Sequence, residues 1–133
     1  MLCSLLLMEE NMIGYVTLGT RDLARGAKFY DALAKEMGVG RMMENDQFIA
    51  WGVPGGAAGI GLTYPWDQKA ASAGNGTMVA LEAKSKEQVD RLYKIAMAEG
   101  GSDEGPPGQR SEGFYAAYFR GLDGNKLNAF FMG

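Results

Sequence analysis

The apolar and polar positions of this chain repeat. From Met78 to Gly101 they run as a short strand, a helix and a glycine stop. Val79 and Leu81 alternate with Met78, Ala80 and Glu82, a two-residue period that separates the faces of a strand. Val89, Leu92, Tyr93, Ala96 and Met97 then recur at three- and four-residue spacing, which gathers them on one face of a helix. Subtracting 63 from each number returns the same pattern: Val16 and Leu18, then Gly26, Phe29, Tyr30, Leu33 and Ala34, then Gly38. Agreement in both type and spacing over this length marks two copies of one supersecondary unit.

Reading outward from the repeat extends both copies. In the first, Met12 to Gly19 is a strand with Gly14, Val16 and Leu18 on one face and Ile13, Tyr15 and Thr17 on the other. Thr20 or Asp22 caps a helix that runs to about Met37, where Gly38 and Gly40 stop it. Three strands follow, Gly40 to Glu44, Phe48 to Gly52 and Gly59 to Tyr64, with turns at Asn45-Asp46 and Pro54-Gly55-Gly56. In the second copy Thr77 to Ala83 is the strand. Ser85 with Gln88 three residues later is a capping-box pattern, and Gly100-Gly101 ends the helix. Ser102 to Gly113, with Gly105-Pro106-Pro107-Gly108 at its middle, reads as a loop that leaves at most a short strand near Gly101 to Asp103. Phe114 to Arg120 and Lys126 to Met132 are strands around the turn Asp123-Gly124-Asn125. The later strands align at an offset of 67, which sets Phe48 and Trp51 on Tyr115 and Tyr118 and assigns the extra residues to the Gly/Pro loop.

The expected architecture is therefore α+β, with two tandem βαβββ units. The first spans about 12–66, residues 67–76 link, and the second spans about 77–132, all within one domain of 12–133. Residues 1–11 form an apolar extension, either the product of a start codon ahead of Met12 or a cover for a sheet edge. The run Met1 to Met8 is too short to span a bilayer, lacks a basic flank and is followed by Glu9 and Glu10, so it reads neither as a secretory signal nor as an anchor.

Composition then narrows the chemistry. With 133 residues the chain is long enough to bury one core. Its net charge of −3 and the lack of any Lys/Arg-rich stripe argue against nucleic acid and anionic membrane as partners. Cys3 is the one cysteine, so no intrachain disulfide forms, which fits a reducing, cytoplasmic location. The chain contains no histidine. That removes the commonest general base and metal ligand, along with every Ser-His or Cys-His arrangement.

The unit order and certain residues carry a family resemblance. These are Met12-Ile-Gly-Tyr-Val-Thr-Leu-Gly19, Asp22-Leu-Ala-Arg25 with Phe29-Tyr30, Gly61-Leu-Thr-Tyr-Pro-Trp66, Gly113-Phe-Tyr-Ala-Ala-Tyr118 and Asp123-Gly-Asn-Lys-Leu-Asn128. The chain resembles the glyoxalase/bleomycin resistance/dioxygenase family, the vicinal oxygen chelate superfamily, from about Met12 to Met132. The resemblance implies that each unit curls its sheet into a half-barrel and that the halves surround one pocket. It also implies pairing of units within or between chains, hence a homodimer. Metal-dependent members of the family place His, Glu, His and Glu on four strands. The corresponding positions here are Tyr15, Gly61, Met78 and Asn128, which offer a phenol, no side chain, a thioether and a neutral amide. Divalent transition metals are held by imidazole, thiolate or carboxylate, so no metal and no cofactor is expected.

Strand parity supplies the rest of the expected pocket. Tyr15 brings Thr17 and Ile13, Gly61 brings Thr63 and Gly59, Met78 brings Ala80 and Glu82, and Asn128 brings Phe130 and Lys126. Trp51 and Tyr118 close the walls. A nearly neutral cavity lined by aromatic rings and methionine suits a small apolar or planar molecule. Three functions stay open: a metal-free protein that sequesters or senses such a molecule; a glyoxalase-related lyase with altered chemistry, with Glu82 or Glu112 as base; and an interaction module whose barrel is packed shut by Tyr15 and Met78. Arg110, Ser111 and Glu112 are read as solvated loop residues beside the mouth.

Overall fold

The computed structural model describes residues 12–133; the extension 1–11 lies outside the described residues. Its elements follow the order read from the sequence: β1 (Tyr15–Gly19), α1 (Leu23–Glu36), β2 (Gly40–Glu44), β3 (Phe48–Gly52), β4 (Gly59–Thr63), β5 (Val79–Glu82), α2 (Lys86–Ala98), β6 (Ser102–Ser111), β7 (Phe114–Arg120) and β8 (Lys126–Met132). The strands form two four-stranded sheets, β1-β4-β3-β2 and β5-β8-β7-β6. In each, the strand before the helix pairs in parallel with the last strand of its unit, and the remaining pairings are antiparallel. The fold is α+β, built from two βαβββ units whose curled sheets do not close on each other.

Local chemistry sets the helix ends. The Asp22 carboxylate accepts from the Arg25 N–H at 3.1 Å, and Ser85 Oγ accepts from the Gln88 N–H at 3.0 Å. Gln88 reaches back to the Lys84 N–H at 2.8 Å, which completes a reciprocal cap one residue ahead of Ser85. Gly38 and Gly100 leave the helices at φ +78° and +94°, a region that glycine enters without steric cost.

Each helix packs its apolar stripe on one face of its own sheet, so the core lies between helices and strands. Leu18, Leu62, Ile49 and Trp51 meet Phe29, Tyr30 and Leu33 in the first unit; Leu127, Ala129, Ala117 and Phe119 meet Val89, Leu92 and Ala96 in the second. The units join through the helices and loops. Gln88 Nε2 donates to the Glu36 carbonyl and Arg91 pairs with the Glu36 carboxylate, both at 3.1 Å. Asn125 Nδ2 donates to the Gly19 carbonyl and the Arg21 N–H to Asp123, both at 2.9 Å. No Cα of one sheet's strands comes within 8 Å of a Cα in the other's.

One segment departs from the sequence reading. Ser102 to Gly113 is a loop in that reading, yet Ser102–Ser111 forms β6, a ten-residue strand. It is an edge strand, and its pairing with β7 shifts register three times, between Asp103 and Gly105, between Gly105 and Gly108, and between Gln109 and Ser111. Bulges on an edge absorb Pro106 and Pro107, whose missing N–H groups would break a central ladder. The first strands are also shorter than read, starting at Tyr15 and Val79. Among the described residues no helix is long and apolar enough to cross a membrane.

Candidate functional site on the open sheet faces and the cleft between units

Pairing register fixes which side chains share a face. In the first sheet Thr17 lies beside Gly61, and Gly61 beside Ala50; Thr63 lies beside Phe48. These positions point away from α1, as does Tyr15. In the second sheet Ala80, Asn128 and Tyr118 stand side by side, with Glu82, Phe130 and Ala116 in the next row. These point away from α2. The sequence-predicted residues Tyr15, Thr17, Gly61 and Thr63 thus gather on one open face, and Asn128, Phe130 and Tyr118 on the other.

The two faces differ. On the first, a Cβ at Gly61 would fall 2.5 Å from Phe48 Cε1, and one at Gly59 would fall 2.8 Å from the Met42 methyl carbon. The glycines there are already covered by an aromatic ring and a thioether. Thr63 Oγ1 lies 2.9 Å from the Tyr64 carbonyl and 3.1 Å from that of Gln47, and it donates to the backbone. Tyr15 stands largely free of neighbours, 61% exposed. On the second face Asn128 is sunk to 2% exposure, and its Oδ1 has no hydrogen-bond partner among the described residues. Its same-face strand neighbours are small Ala80 and the Tyr118 ring. The rings of Phe114 and Phe130 lie 5.9 Å apart further along the same face.

Between the units, β1 and β5 leave a cleft of about 680 Å³. Ile13 and Val16 line one wall, Met78, Ala80 and Glu82 the other, and Trp51 contributes with residues of α1. Met78, 40% exposed, stands at the rim. Ala80 belongs to both places, because it lines the cleft and pairs with Asn128. Among the described residues Glu82 is the one charged side chain on the cleft walls.

Trp51 and Tyr118 do not form matching walls. Trp51 faces α1, 4% exposed, and its Nε1 donates to Asp31 at 2.7 Å. Tyr118 faces the other way. Gly61 pairs with Ala50, whereas its counterpart Asn128 pairs with Tyr118, so β3 and β7 correspond at an offset of 68. The counterpart of Trp51 is the core residue Phe119. A slip of one residue exchanges the faces of a strand. Asp31 is shared with Arg41, whose hydrogen bonds hold its carboxyl below the usual range against a smaller opposing effect of burial. That is a structural cluster on the helix side. Tyr30, unlike Asp31, is buried. Burial, reinforced by the Asp123 carboxylate, pushes its phenol up; the nearby Asn125 amide opposes this weakly because it is committed to Gly19. The Tyr30 hydroxyl has no hydrogen-bond partner among the described residues.

A sequence model of the Glyoxalase/Bleomycin resistance protein/Dioxygenase superfamily matches residues 12–129. The chain belongs to this superfamily. The solved glyoxalase/bleomycin resistance protein from Albidiferax ferrireducens T118 is 37% identical to it, with a TM-score of 0.83 over 90% of this chain and 98% of that one. A hypothetical protein from S. aureus is 25% identical, with a TM-score of 0.71 over 96% and 98% of the two chains. A lactoylglutathione lyase from Agrobacterium tumefaciens shares the fold at 19% identity, with a TM-score of 0.65 over 89% and 91%. No curated protein matches the chain.

The superfamily's metal-dependent members raise the question of an ion. Tyr15, Gly61, Met78 and Asn128 supply neither imidazole nor carboxylate, and among the described residues no three of His, Cys, Asp or Glu come together. The donor set does not fit a transition metal. Two more residues bear on the second face: Lys126, which strand parity sets beside Asn128, and Arg110, which the sequence reads as a solvated loop residue and the structure sets on β6. Both lie against the Tyr118 ring, with the Arg110 Cζ 5.4 Å and the Lys126 Nζ 5.6 Å from its centroid.

Proposed function

We propose that the protein binds a small, largely planar molecule without using a metal. The molecule lies on the open face of the second sheet around Asn128, and the cleft along β5 gives it depth. The observation that carries this reading is the buried Asn128 Oδ1. A buried carbonyl oxygen without a partner costs about 1–3 kcal/mol, and a bound group that donates to it removes that cost. The flanking Tyr118, Phe130 and Phe114 offer flat apolar contact, and Ala80 and Ala116 leave room above the strand. A second copy closes the site in this reading. Among the described residues the two sheets do not meet, and β1 and β5 each keep an unpaired edge. A homodimer that sets the Tyr15 face of one copy over the Asn128 face of the other covers both.

The test begins with the purified protein. Native mass spectrometry is expected to find a dimer of the 14.3 kDa chain and a small organic molecule that is lost in Asn128→Leu. Elemental analysis is expected to find no stoichiometric transition metal, and chelator to leave stability unchanged. About one metal per chain, or undiminished ligand in the variant, sinks the proposal.

A second reading keeps one specific observation: Glu82 is a carboxylate on the wall of the cleft. A glyoxalase-related lyase with altered chemistry needs such a base to move a proton beside a carbonyl. Turnover of a glutathione hemithioacetal that disappears in Glu82→Gln supports it, and no turnover by the wild-type chain rejects it.

A further inference from the structure

We infer that the molecule bound on the second sheet is an organic anion: a planar ring that carries a carboxylate at one end and a hydrogen-bond donor at the other. The inference rests on the proposed binding role and names the class of ligand. Its starting point is a pair of like charges. Arg110 and Lys126 both sit over the one ring of Tyr118. Among the described residues neither has a carboxylate oxygen within 4.0 Å. The nearby acid Glu104 is committed to Arg120 at 3.3 Å. Two cations held close to one ring repel each other, and an anion within reach of both reverses the sign of that interaction.

Arg110 is also held for this position. Its Nη1 donates to the Gly108 carbonyl at 3.0 Å and its Nη2 to that of Pro106 at 2.6 Å. A Cβ at Gly108 would fall 3.0 Å from Nη1, and one at Gly105 would fall 3.1 Å from Nη2. The bulged, glycine-bearing edge strand therefore lays the exposed guanidinium across the sheet towards Tyr118. Donors remain free on the guanidinium, because Arg carries five.

The polar groups are spaced along β8. Lys126 and Asn128 are two residues apart on one face, roughly 6.6 Å by strand rise. The free Asn128 Oδ1 accepts a hydrogen bond, so the ligand brings an N–H or O–H there while its anionic end meets Lys126 and Arg110. One fused or single aromatic ring system spans that separation. Glu82 sits at the other end of the face, beside Phe130, and disfavours the reversed orientation.

Three matched probes test this: indole-5-carboxylate, neutral indole-5-carboxamide, and 1-methylindole-5-carboxylate, which lacks the donor. Titration calorimetry at low salt is expected to rank the first at least tenfold tighter than either of the others. Raising salt from 20 to 300 mM is expected to weaken the two carboxylates and leave the carboxamide unchanged. In Arg110→Gln and Lys126→Met, circular dichroism checks the fold, and the carboxylate is expected to fall to carboxamide affinity. If carboxylate and carboxamide bind equally and without salt dependence, the anion inference is wrong while the planar-ligand reading stands. If none of the three binds at millimolar concentration, both are wrong.

Discussion

Asn128→Leu separates stability from function at one residue. The change replaces the side-chain amide with an apolar group of similar size on the open face of β8. It removes an oxygen that has no partner among the described residues and sets a methyl group against Ala80 and Tyr118. Relief of an unsatisfied buried carbonyl is worth about 1–3 kcal/mol. The gain is reduced by loss of whatever the Nδ2 group finds at the surface, so a net stabilisation of about 1–2 kcal/mol is expected. With an unfolding entropy of about 2.1 cal/mol/K per residue, a domain of this length moves by roughly 3–4 °C per kcal/mol. Differential scanning calorimetry of ligand-free protein should therefore show a rise of roughly 3–8 °C. The same variant should no longer hold the ligand. Natural binding sites keep such locally unfavourable groups for what they bind. If Asn128→Leu instead lowers the melting temperature, the amide is satisfied in the folded protein. The main support for a binding site around it is then gone.

Three further outcomes follow from the packing. Tyr30→Phe removes a buried hydroxyl without a partner, so it should cost less than about 1 kcal/mol at neutral pH. The folded phenol titrates above its unfolded value; wild-type stability should therefore be full below about pH 10 and fall as pH rises beyond it, more steeply than in the variant. A larger loss in urea melts at pH 7 would mean that Asn125 bonds the hydroxyl. Asp31 is the opposite case: its folded pKa is lowered, so its contribution is present above about pH 4 and lost as pH falls through the folded value. Acid titration of Asp31→Asn should show a shallower decline than wild type, and parallel curves would refute the role given to Arg41. Gly61→Ala should cost about 1–3 kcal/mol by overpacking Phe48, and Phe48→Leu should recover most of it in a double-mutant cycle.

What the sequence made legible is what repeats. Leu18, Phe29 and Leu33 in the first unit and Leu92 and Ala96 in the second are core positions, with Val79 and Leu81 packed against that core; periodicity reports core faces because burial imposes it. Ser85 and Asp22 cap as read, because capping is local chemistry. The misreadings lie where a long-range partner decides. Gly105-Pro106-Pro107-Gly108 carries every local mark of a loop, yet pairing with β7 holds it as an edge strand through its bulges. Trp51 and Tyr118 look equivalent by spacing, but the partners of β3 and β7 set them one residue out of step and on opposite faces. Arg110 was hidden for the same reason, since its place over Tyr118 exists only once β6 exists.

The divergence between the two copies bears on the proposed function. Both keep the same core, but their open faces have taken opposite courses. On the first sheet Phe48 and Met42 lie over the glycines of β3 and β4, which leaves a smooth apolar surface with Tyr15 standing at its edge. On the second, Ala80 stands on one side of Asn128 and Tyr118 on the other, Ala116 lies in the next row, and charge arrives from β6 and β8. Phe48 corresponds by pairing to Ala116, so the ring that fills one face is the methyl group that opens the other. A pocket made of two like faces would hold a symmetric or featureless molecule. A pocket with one smooth lid and one face bearing a buried amide and two cations favours a molecule that is flat and has distinct ends. Phe48→Ala and Ala116→Phe exchange these characters. The first should open a cavity without creating a polar site. The second should block the Asn128 face and abolish binding while leaving the core between helices and sheets intact.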